Sequence, residues 1–268
     1  MHKTKTLINY TKYYNSENAE WVTFIHGAGG SSTIWYKQIK AFSKRHNVLM
    51  IDLRGHGNSA DLGLNDLIKK YTFPLIAKDV LEVLDYEHIK KTHFAGVSLG
   101  TIIIRQIAEE HPERVASMIL SGAILKLNVR SQILMKLGVL FKSLVPYLLL
   151  YDFFAFIIIP NHKKSRNLFM REAKKIYRTE FLRWFKLTAD INPLLRLFRN
   201  KELPIPTLYI MGEEDYMFLP TIKDIIKKHV NYSKLIVVPS CGHVVNVDKP
   251  EVFNAETFNF IDSVAKEI

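Results

Sequence analysis

The stretch Gly96-Val97-Ser98-Leu99-Gly100 sets a serine between two glycines where an apolar strand gives way to a helix. A serine hydroxyl can act as a nucleophile, but it is weak at neutral pH and needs a base within hydrogen-bond reach, itself oriented by an acid. Thr92-His93-Phe94-Ala95 enters the turn, and Thr101 to Ala108 leaves it with apolar residues at helical spacing. A strand that reverses sharply into a helix brings two backbones together, so the flanking positions 96 and 100 must be small. The serine between them is expected in a strained conformation, its hydroxyl pointing out of the sheet.

The base and the acid are sought after Ser98 in the chain. Two histidines lie beyond residue 200. His229 ends the basic run Ile225-Ile226-Lys227-Lys228-His229-Val230, where it reads as solvated or as complementing a helix dipole. His243 lies in Ser240-Cys241-Gly242-His243-Val244-Val245, directly after a strand ending at Val238, and can project over the carboxyl edge of a sheet. For the acid, Met211-Gly212-Glu213-Glu214-Asp215 offers three carboxylates at another strand end. Asp215 has the reach to meet the histidine loop and is favoured, with Glu214 next; Glu213 and Glu214 otherwise read as solvated turn residues.

The elements that must position these groups alternate strand and helix, as a mostly parallel sheet with crossover helices requires. Strands are predicted at Trp21 to Ile25, Asn47 to Asp52, Thr92 to Ala95, Val115 to Leu120, Ile205 to Met211 and Lys234 to Val238. Helices are predicted between them at about 33–45, 74–86, 99–110, 219–230 and 250–266. The expected organisation is an α/β core from 1–122 and 201–268, interrupted by a helical cap or lid at 123–200. The chain has 268 residues and is 48% apolar, enough for a substantial core.

Charge separates the same two parts. Residues 123–200 hold fifteen Lys and Arg against four Asp and Glu, while the remainder holds 22 of each, so the net charge of +11 lies in the insert. Within it, Ser143 to Tyr151 and Phe153 to Pro160 are strongly apolar, but Lys136, Lys142, Pro146 and Asp152 interrupt the run. No uncharged stretch approaches the roughly 20 residues that span a bilayer. The insert is expected to pack over an apolar cleft or to lie on a membrane surface. Met1 to Tyr10 lacks a signal-peptide core, and the single Cys241, read as a semi-buried thiol, leaves no internal disulfide. A cytoplasmic protein is expected, with a peripheral position at the inner membrane face as the further reading.

The chain resembles the α/β-hydrolase-fold serine hydrolases, of esterase or lipase type, over nearly its whole length. The resemblance rests on His26-Gly27 after an early strand, Asp52-Leu53-Arg54-Gly55-His56-Gly57-Asn58-Ser59 after the next, the turn at Ser98, Gly212 to Asp215, and Gly242-His243 followed by Lys249-Pro250-Glu251-Val252-Phe253. The order Ser98, Asp215, His243 is that of the family. The resemblance implies an α/β fold with a mostly parallel, doubly wound sheet. It also implies Ser98 as nucleophile, His243 as general base and acid, and Asp215 as the orienting carboxylate. The backbone N–H groups of Ala28 and Leu99 are implied as the oxyanion hole. The 52–59 motif is implied to be a structural turn, with no catalytic role for Arg54 or His56. Thr101 departs from the pattern, since many relatives carry a second glycine there.

Other chemistry is poorly supported. No His, Cys or carboxylate pair shows a compact metal-ligand spacing, and the glycines after His26 lack the dinucleotide spacing, so neither metal nor cofactor is expected. The basic residues are mixed with Leu, Phe and Tyr rather than arranged as a nucleic-acid module. The expected function is hydrolysis of carboxylic esters with a hydrophobic acyl group, through an acyl-enzyme. Thioester or carbon–carbon bond hydrolysis on the same triad and a non-catalytic binding protein are the alternatives. The basic residues of the insert fit either an anionic lipid surface or an anionic leaving group, and its apolar residues fit a homodimer contact as well.

Overall fold

The computed structural model describes residues 7–63, 70–127, 132, 145–189 and 191–266. Lys136 and Lys142, and with them Ser143 and Leu144 of the apolar run, lie outside the described residues, as do Met1 to Thr6. Seven strands form one sheet: β1 (Tyr10–Tyr13), β2 (Trp21–Ile25), β3 (Asn47–Ile51), β4 (Thr92–Val97), β5 (Val115–Ser121), β6 (Thr207–Gly212) and β7 (Ser233–Val238), in the order β1-β3-β2-β4-β5-β6-β7. Only β1 is antiparallel; all other pairs are parallel. It was not predicted, because four residues at a sheet edge with mixed polarity carry too little period-two signal.

The central strands are apolar throughout because both faces are covered. Along β3, Leu49 and Ile51 enter one cluster with α2 (Phe73–Tyr86) and α3 (Leu99–Glu110), while Val48 and Met50 enter the other with α1 (Tyr36–Phe42) and α10 (Pro250–Lys266). Among the described residues between β5 and β6 lie α4 (Tyr147–Ile158), α5 (Lys163–Ala173), α6 (Arg178–Ala189) and α7 (Asn192–Asn200). Leu195 and Phe198 of α7 join the main core, whereas Leu150, Tyr151, Ala173, Ile176, Phe181 and Phe185 of the preceding segment form a cluster of their own. Between β6 and the C-terminal helix come α8 (Leu219–Ile226) and the single turn α9 (Val245–Asp248).

Two acidic residues of this otherwise basic segment, Glu172 and Glu180, serve as internal anchors. Ser31 Oγ donates to Glu172 Oε2 at 2.8 Å, and the Tyr71 hydroxyl donates to Glu180, which also pairs with Arg183 at 2.6 Å. Both carboxylates are buried, and each is hydrogen-bonded from the sheet-bearing body and from its own helix. Trp184 Nε1 adds a 3.0 Å bond to the Arg54 carbonyl. A buried, multiply hydrogen-bonded carboxylate fixes position more sharply than an apolar contact, because leaving any of its lone pairs unmet is costly.

Gly100 sets how closely α3 approaches the sheet. A Cβ there would stand 2.4 Å from the Ile25 carbonyl oxygen and 2.8 Å from that of His26, both backbone atoms that cannot step aside. Gly100→Ala is expected to cost about 1–3 kcal/mol through overpacking. Urea denaturation checks this, and an unchanged midpoint would mean that the helix can slide outward without penalty.

Candidate active site

Ser98 occupies the junction of β4 and α3 with φ 55° and ψ −120°, a left-handed conformation that a non-glycine residue adopts only under constraint. The constraint is visible in its backbone bonds. Ser98 N–H donates to the Ser121 carbonyl at 3.0 Å, while the Ser98 carbonyl accepts from Thr101 N–H at 3.0 Å and from the Thr101 hydroxyl at 2.6 Å. Thr101, the departure from the family pattern, therefore buttresses the turn. Leu99 opens α3, so its N–H has no acceptor within the helix.

Asp215 lies in the turn after β6 and His243 in the loop after β7, and the fold brings them together. His243 Nδ1–H donates to Asp215 Oδ2 at 2.7 Å, and both residues are buried. The second carboxylate oxygen, Oδ1, accepts from Phe218 N–H at 3.1 Å. This holds Asp215 in place and leaves His243 Nε2 buried and without a partner, free to take a proton. The end of strand β5 touches both the serine turn and the histidine loop. Its end residue Ser121 holds Ser98 N–H, and the next residue, Gly122, packs against the imidazole. A Cβ on Gly122 would lie 3.0 Å from His243 Cε1 and 2.4 Å from its carbonyl oxygen.

The loop after β2 is pinned by two buried histidines. His26 Nδ1–H donates to the Gly27 carbonyl at 2.7 Å, and its Nε2 accepts from Leu53 N–H at 3.0 Å. His56 Nε2 accepts from Gly29 N–H at 3.0 Å, and its Nδ1–H donates to the Arg54 carbonyl at 3.1 Å. Each ring thus uses one nitrogen as donor and the other as acceptor, which only the neutral form can do. Burial pushes His26 below its ordinary value and His56 down to about 3. From the other side, the Tyr151 hydroxyl of α4 donates to the Ala28 carbonyl at 2.7 Å. Both peptide planes flanking Ala28 are therefore fixed, and with them the direction of its N–H.

Ala28, Ser98 and Leu99 line a cavity of about 180 Å³ whose other walls are almost wholly apolar, among them Ile102, Phe154, Phe185 and Met217. Tyr151, Phe169, Phe181 and Trp184 close it from the α4–α6 side. No Lys or Arg among the described residues lines it. No cluster of three metal-ligating side chains is found among the described residues.

Three sequence readings change. Glu214 is not a solvated turn residue: it accepts from Asn161 Nδ2 at 3.3 Å and pairs with His162 at 3.2 Å, tying its turn to the loop before α5. His229 is buried rather than solvated, its Nε2 3.2 Å from the Arg199 carbonyl. Cys241 is fully buried, and burial pushes its thiol up to about 12. His56, read as part of a structural turn, also stands in the cavity wall, where it holds the Ala28–Gly29 peptide. Neither this contact nor that of Tyr151 left a sequence signal, since their partners lie 27 and 123 residues away.

Residues 20–250 match the model of the family described as alpha/beta hydrolase fold. The chain belongs to that family. Among curated proteins, this alpha/beta hydrolase is 24% identical to 3-oxoadipate enol-lactonase 1 of Acinetobacter baylyi, over 92% of this chain and 91% of that one. It is 28% identical to a pimeloyl-[acyl-carrier protein] methyl ester esterase of Wigglesworthia glossinidia brevipalpis, over 87% and 90%. Among solved structures it is similar to a hydrolase from Pseudomonas aeruginosa, with a TM-score of 0.78, 20% identity and coverage of 94% and 93%.

The buried neutral histidines make a pH prediction. Because the folded value of His56 is about 3 against 6.5 for the free side chain, its contribution to stability is full above about pH 6.5 and is lost as pH falls toward 3. Within that window it contributes a slope of about 1.4 kcal/mol per pH unit. Equilibrium denaturation between pH 7 and 4 should show this decline. His56→Gln, whose amide oxygen can still accept from Gly29, should flatten the slope by one proton; an unchanged slope would refute the assignment.

Proposed function

We propose that this alpha/beta hydrolase cleaves carboxylic esters of neutral, hydrophobic acids through an acyl-enzyme at Ser98. The observation that carries the reading is a strained serine on the wall of an apolar cavity, joined through β5 to a buried Asp215–His243 pair. Ser98 Oγ attacks the acyl carbon as His243 Nε2 takes its proton, and Asp215 holds the imidazole through Nδ1–H. The oxygen that becomes negative is received by the N–H groups of Ala28 and Leu99. His243 then returns the proton to the leaving alcohol, and water, activated by the same nitrogen, releases the acid.

The relatives named for lactone and methyl ester cleavage support this class of reaction. The absence of Lys and Arg from the described cavity wall supports an uncharged acyl group, because a buried carboxylate without a partner is strongly disfavoured. The described basic residues of the insert therefore do not serve as a carboxylate clamp there. The segment at 123–200 acts as the cap, with α4 to α6 forming the acyl wall. Tyr151 acts as a positioning residue: it aims the Ala28 N–H by holding the neighbouring carbonyl.

A chain-length series of activated acyl esters, run beside matching thioesters, tests the substrate class. The cavity's apolar walls suit an acyl chain longer than acetyl. As the chain lengthens from acetyl, kcat/KM should rise about fourfold per methylene; a preference for acetyl or for dicarboxylic monoesters would sink the reading. Ser98→Ala should lower kcat by about 10³-fold or more and abolish labelling by a fluorophosphonate.

Tyr151→Phe should lower kcat about tenfold, the loss of one hydrogen bond's orientation, with KM changed less than about twofold. Equal changes in both constants would reduce Tyr151 to a wall residue.

A further inference from the structure

Helix α4 is apolar nearly all the way round, and only one side of it is covered. Tyr151, Phe154 and Ile158 face the cavity, and Leu150 and Ala155 are buried or packed beside them. On the other side Leu149, Phe153 and Phe156 recur at spacings of four and three and are 61%, 52% and 57% exposed. A helix hydrophobic on every face is ordinarily buried. This one keeps three large side chains in water.

Its flank is basic. The Arg166 guanidinium lies 5.1 Å from the Phe156 ring and donates to the Ile159 and Pro160 carbonyls at the end of α4. Exposed Lys163 and Lys164 open α5 just after it. Of the acids in this segment, Glu172 and Glu180 point inward to their anchors, and Asp152 is the exposed acid on α4 itself. Lys163, Lys164 and Arg166, part of the chain's surplus positive charge, thus flank an exposed apolar ridge.

We propose that the outer face of α4, with Lys163, Lys164 and Arg166, docks on an anionic phospholipid surface. A ridge of Leu and Phe flanked by Lys and Arg is the composition of a helix lying in the headgroup region, where apolar side chains reach the acyl boundary and cations meet lipid phosphates. The twelve residues of α4 are too few to span a bilayer, and no helix among the described residues is long and apolar enough to cross one. A second copy of the chain fits less well, because pairing two such faces would bring like charges together. Docking does not depend on the catalytic reading. Together, the two place the acyl cavity directly behind the helix that meets the lipid.

Flotation with phosphatidylcholine vesicles, with and without phosphatidylglycerol, at low and high salt, tests the proposal. The protein should float with the anionic vesicles and bind about tenfold more weakly to neutral ones or at high salt. The double variant Phe153→Ser, Phe156→Ser should lower partitioning by a further tenfold or about that, and Lys163→Glu, Lys164→Glu should abolish the anionic preference. None of these residues lines the cavity, so hydrolysis of a soluble ester should be unchanged, which separates failure of docking from failure of the catalytic reading. Equal binding to neutral and anionic vesicles, or binding indifferent to the Phe changes, overturns the proposal. So does a concentration-dependent dimer, seen by light scattering, that the Phe changes dissolve.

Discussion

Everything at the site depends on backbones meeting closely at the carboxyl edge of the sheet. Gly100 lets α3 rest on the carbonyls of Ile25 and His26, and Gly122 lets β5 end against the His243 ring. Between these contacts Ser98 is held at a positive φ, because its N–H and C=O are both committed, to Ser121 and to Thr101. The strain is of the order of 1–3 kcal/mol and persists only because the surroundings leave no alternative. A serine on a flexible loop would relax, and its hydroxyl would turn away from the cavity.

The same edge is stiffened by groups that must stay uncharged. His26 and His56 act as bifunctional struts, each bridging a donor and an acceptor of neighbouring loops. Protonating either would turn its acceptor nitrogen into a second donor facing an N–H. Burial prevents this at neutral pH, and the loop carrying Ala28 is correspondingly rigid. His243 differs from both: its Nδ1 is committed to Asp215, and its Nε2 is left open. Three buried imidazoles thus divide into two supports and one group free to move a proton, by hydrogen bonding alone.

The helices between β5 and β6 are held by a sorting of charge. Glu172 and Glu180 are buried against Ser31 and Tyr71, while Lys163 and Lys164 stay exposed. The result is that α5 and α6 are fastened to the sheet-bearing body at several points. Tyr151 adds a direct tie from α4 to the Ala28 carbonyl, so the helix that lines the cavity also touches the loop after β2.

The strand-end positions of Ser98, Asp215 and His243 were legible in the sequence because each stands beside a strong local signal: an apolar strand followed by a glycine turn. The alternation of strand and helix was legible for the same reason, as was the concentration of charge in residues 123–200. What the chain could not disclose locally was β1, whose pairing with β3 is its only claim to be a strand, and the partners of Glu214, His229, His56 and Tyr151. Residue type and spacing determine which groups can do chemistry, since they act through periodicity and turn geometry over a few residues. Which of those groups meet, and in what protonation state, was decided only by the tertiary structure, because burial and long-range hydrogen bonds join positions that share no local pattern.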